Sequence, residues 1–366
     1  MENTEPQWAI GCMSGTSMDG VDAAALLTDG KHILSFGQTE FRPYSEAERV
    51  LLRRALGHWP GSDEVRRAEE IVTRAHIDIL QRFDRVSLIG FHGQTVAHDP
   101  ENARTHQIGS AGAVADALDT PVIWDFRTED MRLQGQGAPL APFFHFALAK
   151  RLNLTEPVQF VNLGGVGNLT WVNPNCVHPV EPGALIAFDT GPANAPIDDL
   201  LLSRLALPFD RNGTVARSGQ ISEDLLSAFL RHHYFSLSPP KSLDRNDFSD
   251  LFKRVGELRT ADAAATLTAC AAHSVAEALA HLPAPPTLTL LCGGGRRNPE
   301  LVRMLRNLLP MRITDIDRMG CDGDMLEAQA FAHLAVRSLH RLPLSSPTTT
   351  GCRQPSRGGR LCLPAH

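Results

Sequence analysis

The sequence predicts an α/β protein of two domains whose ligands sit at strand ends. Three observations carry that reading. Strand-like and helix-like runs alternate along the chain. Three strand-like runs end in glycine-rich turns, at Gly15 to Gly20, Gly164 to Gly167 and Gly293 to Gly295. The 366 residues exceed what one hydrophobic core usually serves.

Trp8 to Ser14 reads as a short strand, followed by the turn Gly15-Thr16-Ser17-Met18-Asp19-Gly20. Val21 to Leu27 and Ile33 to Phe41 read as the next two strands, a meander opening. Val65 to Phe83 reads as a helix, because Val65, Ala68, Val72, Ala75, Ile79 and Phe83 share one face. Arg85 to Gly90 returns to a buried strand that ends at His92-Gly93-Gln94-Thr95. Pro157 to Leu163 begins a second opening, with its glycine turn and then Asn168 to Val172 as strand. The strand–glycine turn–strand pattern therefore occurs twice, as a structural duplication or as two unrelated hairpins. Ala261 to Leu282 reads as an alanine-rich helix, stopped by Pro283-Ala284-Pro285-Pro286. Thr287 to Cys292 is a buried strand, and Asp324 to Leu339 a final helix. The tail from Pro343 to His366, rich in Ser, Thr, Pro and Gly, reads as partly irregular.

Composition narrows the function classes. Hydrophobic residues make up 43% and charged residues 21%, ordinary for a globular protein. Net charge is −6 with no long basic run, so neither nucleic acid nor an anionic membrane is expected as a partner. The opening Met1-Glu2-Asn3-Thr4-Glu5-Pro6 is acidic and polar, unlike a signal peptide. Apolar stretches read as shorter than the ~20 residues that span a bilayer. The seven cysteines are odd in number and form no CxxC pair, which argues against a disulfide framework or structural zinc. The expected compartment is cytoplasmic.

Glycine lets backbone N–H groups approach a phosphate with no Cβ in the way. Three such turns suggest a polyphosphate ligand. The Gly15–Gly20 spacing matches a P-loop, but Val21-Asp22 stands where Lys-Ser/Thr belongs. Asp19 and Asp22 flank that turn and would repel phosphate unless a cation such as Mg²⁺ lies between. Asp19-Gly20 also reads as a plain turn pair. Asp189, in Phe188-Asp189-Thr190-Gly191-Pro192-Ala193-Asn194, is placed like a general base at a strand's C-terminal end. An aspartate at a turn is equally a common structural motif. His92-Gly93-Gln94-Thr95 offers the donors and acceptors a sugar needs, or a buried structural histidine.

Together the segments resemble the anhydro-N-acetylmuramic acid kinases. The resemblance rests on Gly11-Cys12-Met13-Ser14-Gly15-Thr16-Ser17-Met18-Asp19-Gly20-Val21-Asp22, on Gly90 to His98, and on Thr105 to Gly109. It continues through Asp125-Phe126-Arg127, Gly135 to Leu140, Asn162 to Leu169, Asp189-Thr190-Gly191-Pro192, Pro240-Lys241-Ser242, Cys292 to Gly295 and Arg297-Asn298. It implies two RNase H-like (actin/hexokinase/Hsp70-type) domains around a nucleotide cleft. The expected first domain is 1–124, joined by the tail 342–366, and the second is 125–341. ATP and Mg²⁺ are the implied cofactors. Gly15, Thr16, Ser17, Met18, Asp19, Gly20, Val21 and Asp22 would contact ATP phosphates, with Asp19 and Asp22 meeting the metal through Mg-ATP. By analogy within the wider fold, Gly164, Gly165 and Asn168 form a second phosphate loop, and Gly293, Gly294 and Gly295 lie near the adenosine.

The implied substrate is 1,6-anhydro-N-acetylmuramic acid from peptidoglycan turnover. Asp189 would take a proton from the water that opens the anhydro bridge, and the freed O6 would take the γ-phosphoryl group. His92, Gln94, Thr95 and Arg127 are the expected sugar contacts, with Glu327 a candidate second carboxylate. A homodimer is implied as well. Several positions depart from the family pattern: Ala193 and Gln134 replace glycines, Thr128-Glu129 replaces a basic pair, Ser110 an aspartate, and Leu243-Asp244 a Thr-Gly. These leave open a kinase for a related sugar, or a weak sugar or nucleotide sensor on the same fold.

Overall fold

The computed structural model describes residues 5–15, 17–84, 86–243 and 247–365. Six strands come first: β1 (Gln7–Ser14), β2 (Gly20–Thr28), β3 (Ile33–Pro43), β4 (Leu88–Asp99), β5 (Arg104–Ile108) and β6 (Val122–Trp124). Five more follow: β7 (Val158–Leu163), β8 (Val166–Val172), β9 (Leu185–Pro192), β10 (Leu288–Cys292) and β11 (Arg312–Asp315). The chain closes with β12 (Arg360–Cys362).

The strands form two sheets of one design. The first runs β12-β6-β4-β1-β2-β3, with β5 on β4; the second runs β11-β10-β7-β8-β9. In the first, β1 pairs antiparallel with β2 and parallel with β4. In the second, β7 pairs antiparallel with β8 and parallel with β10. Each sheet is thus a three-stranded meander extended by two parallel strands, and each unit is RNase H-like. The doubled strand–turn–strand pattern is this duplication.

Two compact units result, Met1–Asn153 with Met325–His366, and Leu154–Asp324. Residues 125–153 and 325–341, expected in the second domain, fall in the first unit. The reason is packing. The helix Leu326–Leu339 lies against β1, β2 and β4, and Pro142–Arg151 packs on that helix.

The contact between this helix and the sheet is backbone against backbone. A Cβ on Gly11 would lie 1.8 Å from the Ala328 carbonyl oxygen, and one on Gly90 2.3 Å from that of Phe331. Gly11 and Gly90 are cross-strand neighbours, and Ala328, Ala332 and Ala335 face them fully buried.

The tail is an integral part of the first unit. β12 pairs with β6, Arg353 N–H donates to the Leu133 carbonyl, and Gln136 N–H to that of Thr350. In the second unit, Thr260–His281 is long and apolar enough to cross a membrane by length and composition, contrary to expectation. It is a core helix: Ala269, Ala272 and Val275 pack with Phe188 and Leu169.

Of Ala193 and Gln134, the two residues that stand where the family pattern has glycine, only Gln134 adopts a positive φ, at 64°. A left-handed backbone disfavours any side chain with a Cβ.

Gly11→Ala should cost about 3 kcal/mol or more, because neither backbone can yield to an added methyl. Urea denaturation checks it; wild-type stability would mean that the helix and strand separate freely. Gln134→Gly should stabilise by about 0.5–1 kcal/mol through relief of the left-handed strain. A loss of stability in the same assay would contradict that.

Candidate active site

In the first unit, the helix Leu326–Leu339 carries Phe331 under His92, with ring centroids 4.5 Å apart. Phe126 stacks against the same Phe331 at 5.2 Å, which sets the start of the Arg127 segment. Arg127 then donates to His92 Nε2 through Nε at 3.1 Å and through a terminal nitrogen at 2.9 Å. Its other arm donates to the Gly137 carbonyl at 2.7 Å. His92 Nδ1 lies 3.0 Å from the Gly93 carbonyl. Nε2 is therefore the acceptor and Nδ1–H the donor, a neutral imidazole. Burial, and then the Arg127 charge, hold His92 well below its ordinary pKa, in keeping with that tautomer.

Glu327 opens the same helix and is solvent-accessible. Crowding by protein raises its carboxyl above the ordinary value, and the Arg127 charge opposes the rise. The structure thus brings His92, Arg127 and Glu327 into one electrostatic group.

Gln94 is placed differently from expectation. It has no accessible surface. Its Oε1 accepts from the Ser14 hydroxyl at 2.5 Å, and its Nε2 donates to the Thr95 carbonyl at 3.1 Å. Both ends of the amide are spent inside the protein, so Gln94 ties β4 to β1 and offers no face to a ligand. The strand was expected to end near Thr95, but β4 continues to Asp99. Thr95 is half-buried and accepts from Gln107 Nε2 at 3.1 Å.

Asp130, which sequence reasoning passed over, holds the loop that Arg127 grips. It is 1% exposed. It accepts from Gly137 N–H at 2.8 Å, from Thr350 Oγ1 at 2.6 Å and from the Ser345 hydroxyl. Two of its three partners, Ser345 and Thr350, lie more than 200 residues away in sequence, so no local pattern marks it.

The first glycine turn joins β1 to β2. Thr16 lies outside the described residues. Met18 N–H closes the turn on the Gly15 carbonyl at 3.1 Å, and the Ser17 hydroxyl donates to Asp19 Oδ1 at 2.8 Å. Met18 and Val21 are buried in the core, whereas Asp19 is exposed and Asp22 half-buried on β2. Gly20 is required by space, since a Cβ would meet the Arg42 carbonyl at 2.4 Å. Gly15 is not, because its nearest neighbour would be Ser17 Oγ at 3.7 Å.

In the second unit, the turn between β7 and β8 is tied down by its carbonyls. Gly164 O accepts from Asn194 N–H at 2.9 Å, and Gly165 O from Ala193 N–H at 3.1 Å. Asn162, Asn168 and Asp189 stand in register across β7, β8 and β9. Asp189 therefore lies within the paired strand, beside Asn168.

Asp189 is half-buried. Its Oδ2 accepts from Leu243 N–H at 3.0 Å, and its own N–H donates to the Lys241 carbonyl at 3.0 Å. Asp244, the next residue of the departing pair, lies outside the described residues. Burial pushes the Asp189 carboxyl up to about 6, and the Leu243 bond only partly offsets it. A base of that pKa is ionised at neutral pH and still basic enough to accept a proton.

The third turn follows β10. Gly293 has φ 72°, and a Cβ there would lie 2.1 Å from Asn162 Oδ1. Gly294 has open space where its Cβ would be. Arg296, also missed, anchors the turn: its side chain is 1% exposed and pairs with Asp315, Asp317 and Asp324 at 3.4, 3.1 and 2.9 Å. It also donates to the Gly293 carbonyl at 3.0 Å.

Known proteins share this layout of motifs. A family model, "Anhydro-N-acetylmuramic acid kinase", matches residues 7–363. The anhydro-N-acetylmuramic acid kinase of Cereibacter sphaeroides is 54% identical over 98% of this chain and 96% of its own length. That of Roseobacter denitrificans is 53% identical over 99% and 96%. Among solved structures, component A of the (R)-2-hydroxyglutaryl-CoA dehydratase of Acidaminococcus fermentans aligns with a TM-score of 0.46 at 10% identity, covering 91% of this chain and 99% of that one. With a matching family model over nearly its whole length, the chain belongs to the anhydro-N-acetylmuramic acid kinase family.

Proposed function

We propose that this protein is an ATP-dependent kinase that opens the 1,6-anhydro ring of 1,6-anhydro-N-acetylmuramic acid and phosphorylates O6. The observation that carries the chemistry is Asp189, a half-buried carboxyl within β9 raised to about 6. Family membership supplies the substrate.

Above pH 6 Asp189 is mostly ionised and accepts a proton from a water directed at the anomeric carbon. The water oxygen bonds to that carbon as the bond from it to O6 breaks. O6 then takes the γ-phosphoryl group, and ADP leaves. The product is N-acetylmuramic acid 6-phosphate, and Asp189 returns its proton to solvent. The net change consumes one water and one ATP. Positioning and fixed N–H dipoles supply most of the rate, as in phosphoryl transfer generally.

Three turns support the nucleotide. At Gly15 and Gly294 the protein itself has no need of glycine: each Cβ would find room, and neither backbone has a positive φ. A phosphate or ribose drawn against the backbone explains the missing side chain. Arg127, Thr95 and Glu327 are the proposed sugar contacts, and His92, with both ring nitrogens engaged, orients Arg127. Gln94 acts behind them.

The residues present fit Mg²⁺. Among the described residues no group of three or more His, Cys, Asp or Glu is arranged to hold an ion alone. Mg²⁺ requires no such cage, since one or two carboxylates and phosphate oxygens suffice. Asp19 and Asp22 would hold it, and when bound it neutralises charge on the phosphates. We place the protein in the cytosol as a homodimer on the family resemblance.

ADP release with ATP, Mg²⁺ and 1,6-anhydro-N-acetylmuramic acid tests the reading. kcat should rise with pH to a midpoint near 6. Asp189→Asn should lower kcat by about 10³-fold or more. Sugar-independent or absent turnover in the wild type would overturn it.

The same variant should be more stable than the wild type at pH 8. A carboxyl raised from 3.8 to about 6 favours folding fully below pH 4 and loses that contribution as pH climbs through 6. The gain should therefore be near zero at pH 4 and about 1–3 kcal/mol at pH 8. Thermal unfolding at both pH values reads it; an equal gain at both would show that ionisation is not the cause.

Gly294→Ala should leave the melting temperature unchanged and raise the KM for ATP about tenfold or more, by blocking approach to the backbone. An unchanged KM would remove the third turn from the nucleotide site.

A further inference from the structure

Lys241 is a buried cation whose chemistry is not yet accounted for. It is 6% exposed. Its Nζ donates to the Tyr234 carbonyl at 2.9 Å and reaches the Phe235 carbonyl at 3.5 Å. His281 Nε2 lies 3.4 Å away, and the ammonium sits 4.7 Å from the Tyr234 ring centroid. Burying an ammonium among neutral acceptors is costly. Burial accordingly draws the Lys241 pKa down to about 8.

The bonds around it close a ring. Asp189 N–H donates to the Lys241 carbonyl at 3.0 Å. The Lys241 ammonium donates to the Tyr234 carbonyl at 2.9 Å. The Tyr234 hydroxyl donates to the Asp189 carbonyl at 2.6 Å. Both backbone groups of Asp189 are thus held by two residues that are tied to each other. Two residues beyond Lys241, Leu243 N–H reaches the Asp189 carboxylate itself.

We propose that Lys241 is a positioning residue for Asp189, its ammonium anchoring the segment that grips the carboxylate to the turn that holds the carbonyl. The proposal rests on the reading of Asp189 as the base. Without the ammonium, the Lys241–Leu243 segment loses the side-chain bond that ties it to the Tyr234 turn. Leu243 N–H is then no longer held against Oδ2, and the carboxylate loses its aim together with a bond that favours its ionised form. The glycine turns proposed for ATP hang on other strand ends. The fault should fall on the chemical step.

The test compares Lys241→Met, Tyr234→Phe and Asp189→Asn with the wild type, between pH 5 and 7.5, where the lysine is charged. The other titratable groups close to this ring are Tyr234, His281 and Asp247. Lys241→Met should lower kcat about 10- to 100-fold, the scale of a small misplacement of a reacting group. Its KM for ATP should stay within about twofold. Its rising pH limb should move upward by about half a unit to one unit, from the lost Leu243 hydrogen bond. Tyr234→Phe removes the hydroxyl on the Asp189 carbonyl but keeps the Lys241 bond to the Tyr234 carbonyl, so it should show a smaller shift and a smaller fall, about 3- to 10-fold. A merely structural role would lower the folded fraction without moving the pH midpoint. Wild-type kcat and midpoint in Lys241→Met, beside a dead Asp189→Asn, would overturn the proposal. Should Lys241→Met fail to fold, Lys241→Gln takes its place, and wild-type kcat and midpoint there would overturn the proposal. Full turnover in Asp189→Asn would instead defeat the underlying assignment of the base.

Discussion

The first unit depends on one close approach, that of the helix Leu326–Leu339 to the glycine pair Gly11 and Gly90. Only two residues without side chains, adjacent in parallel strands, let a helix backbone come within contact of a sheet. Alanines complete the fit from the helix side. Once the helix is seated, Phe331 has a fixed place beneath His92, and Phe126 closes on the same ring. Arg127 follows Phe126 directly, so its reach to His92 and to the Gly137 carbonyl is set by that packing. Glu327 begins the same helix. The geometry of three polar residues is therefore an output of apolar and backbone contact.

Carboxylates in the two units are treated in opposite ways. Asp130 is buried and supplied with donors from Gly137, Ser345 and Thr350. A carboxylate so bonded is a structural anchor, and the loop it holds presents carbonyls to Arg127 and His98. Asp189 accepts one described backbone bond at Oδ2, and burial wins, raising its pKa. Its position is set through the main chain, by Lys241 and Tyr234, rather than by donors on the carboxylate. That arrangement fixes place without suppressing basicity. Environments that push apart the properties of chemically identical groups are how proteins divide acid–base labour.

Periodicity and punctuation made much of this legible. β1, β2, β7 and β10 follow from apolar runs with glycine at their ends, and the helix Asp63–Leu80 from its single buried face. The duplication was visible because both meanders carry the same punctuation. Less could be read where partners are distant. β6 and β12 are three residues each; β6 exists because it lies between β4 and β12, and β12 because it pairs with β6. The continuation of β4 past Thr95 depends on β5. Gln94 was misplaced for the same reason: a glutamine in a polar strand end looks like a ligand contact until Ser14, 80 residues away, takes its oxygen. The domain boundary slipped because a helix read near the C-terminus could not be assigned to a sheet without knowing that Gly11 and Gly90 leave room for it. Arg296 carries no signal beyond its place after a glycine turn. Its three aspartates, Asp315, Asp317 and Asp324, come later in the chain, at and beyond the end of β11.

The departures from the family pattern are absorbed locally. Ala193 is buried with ordinary backbone and still donates to the Gly165 carbonyl. Ser110 caps the helix Ala111–Leu118 by accepting from Ala113 N–H at 3.2 Å, a task an aspartate performs equally well. Thr128 turns its hydroxyl to the Asp125 carboxylate, and Glu129 pairs with Arg132 on the surface. Such exposed pairs contribute little. Only Gln134 carries strain, and it sits next to the segment that Asp130 clamps. A sensor derived from this fold would be expected to lose or mis-set its base first, since binding needs no proton acceptor. The substitutions here do the reverse. They spare Asp189, its cross-strand neighbour Asn168, Lys241 and Tyr234; Leu243, which does touch the base, reaches Oδ2 through its backbone N–H, a donor that the side-chain change leaves in place.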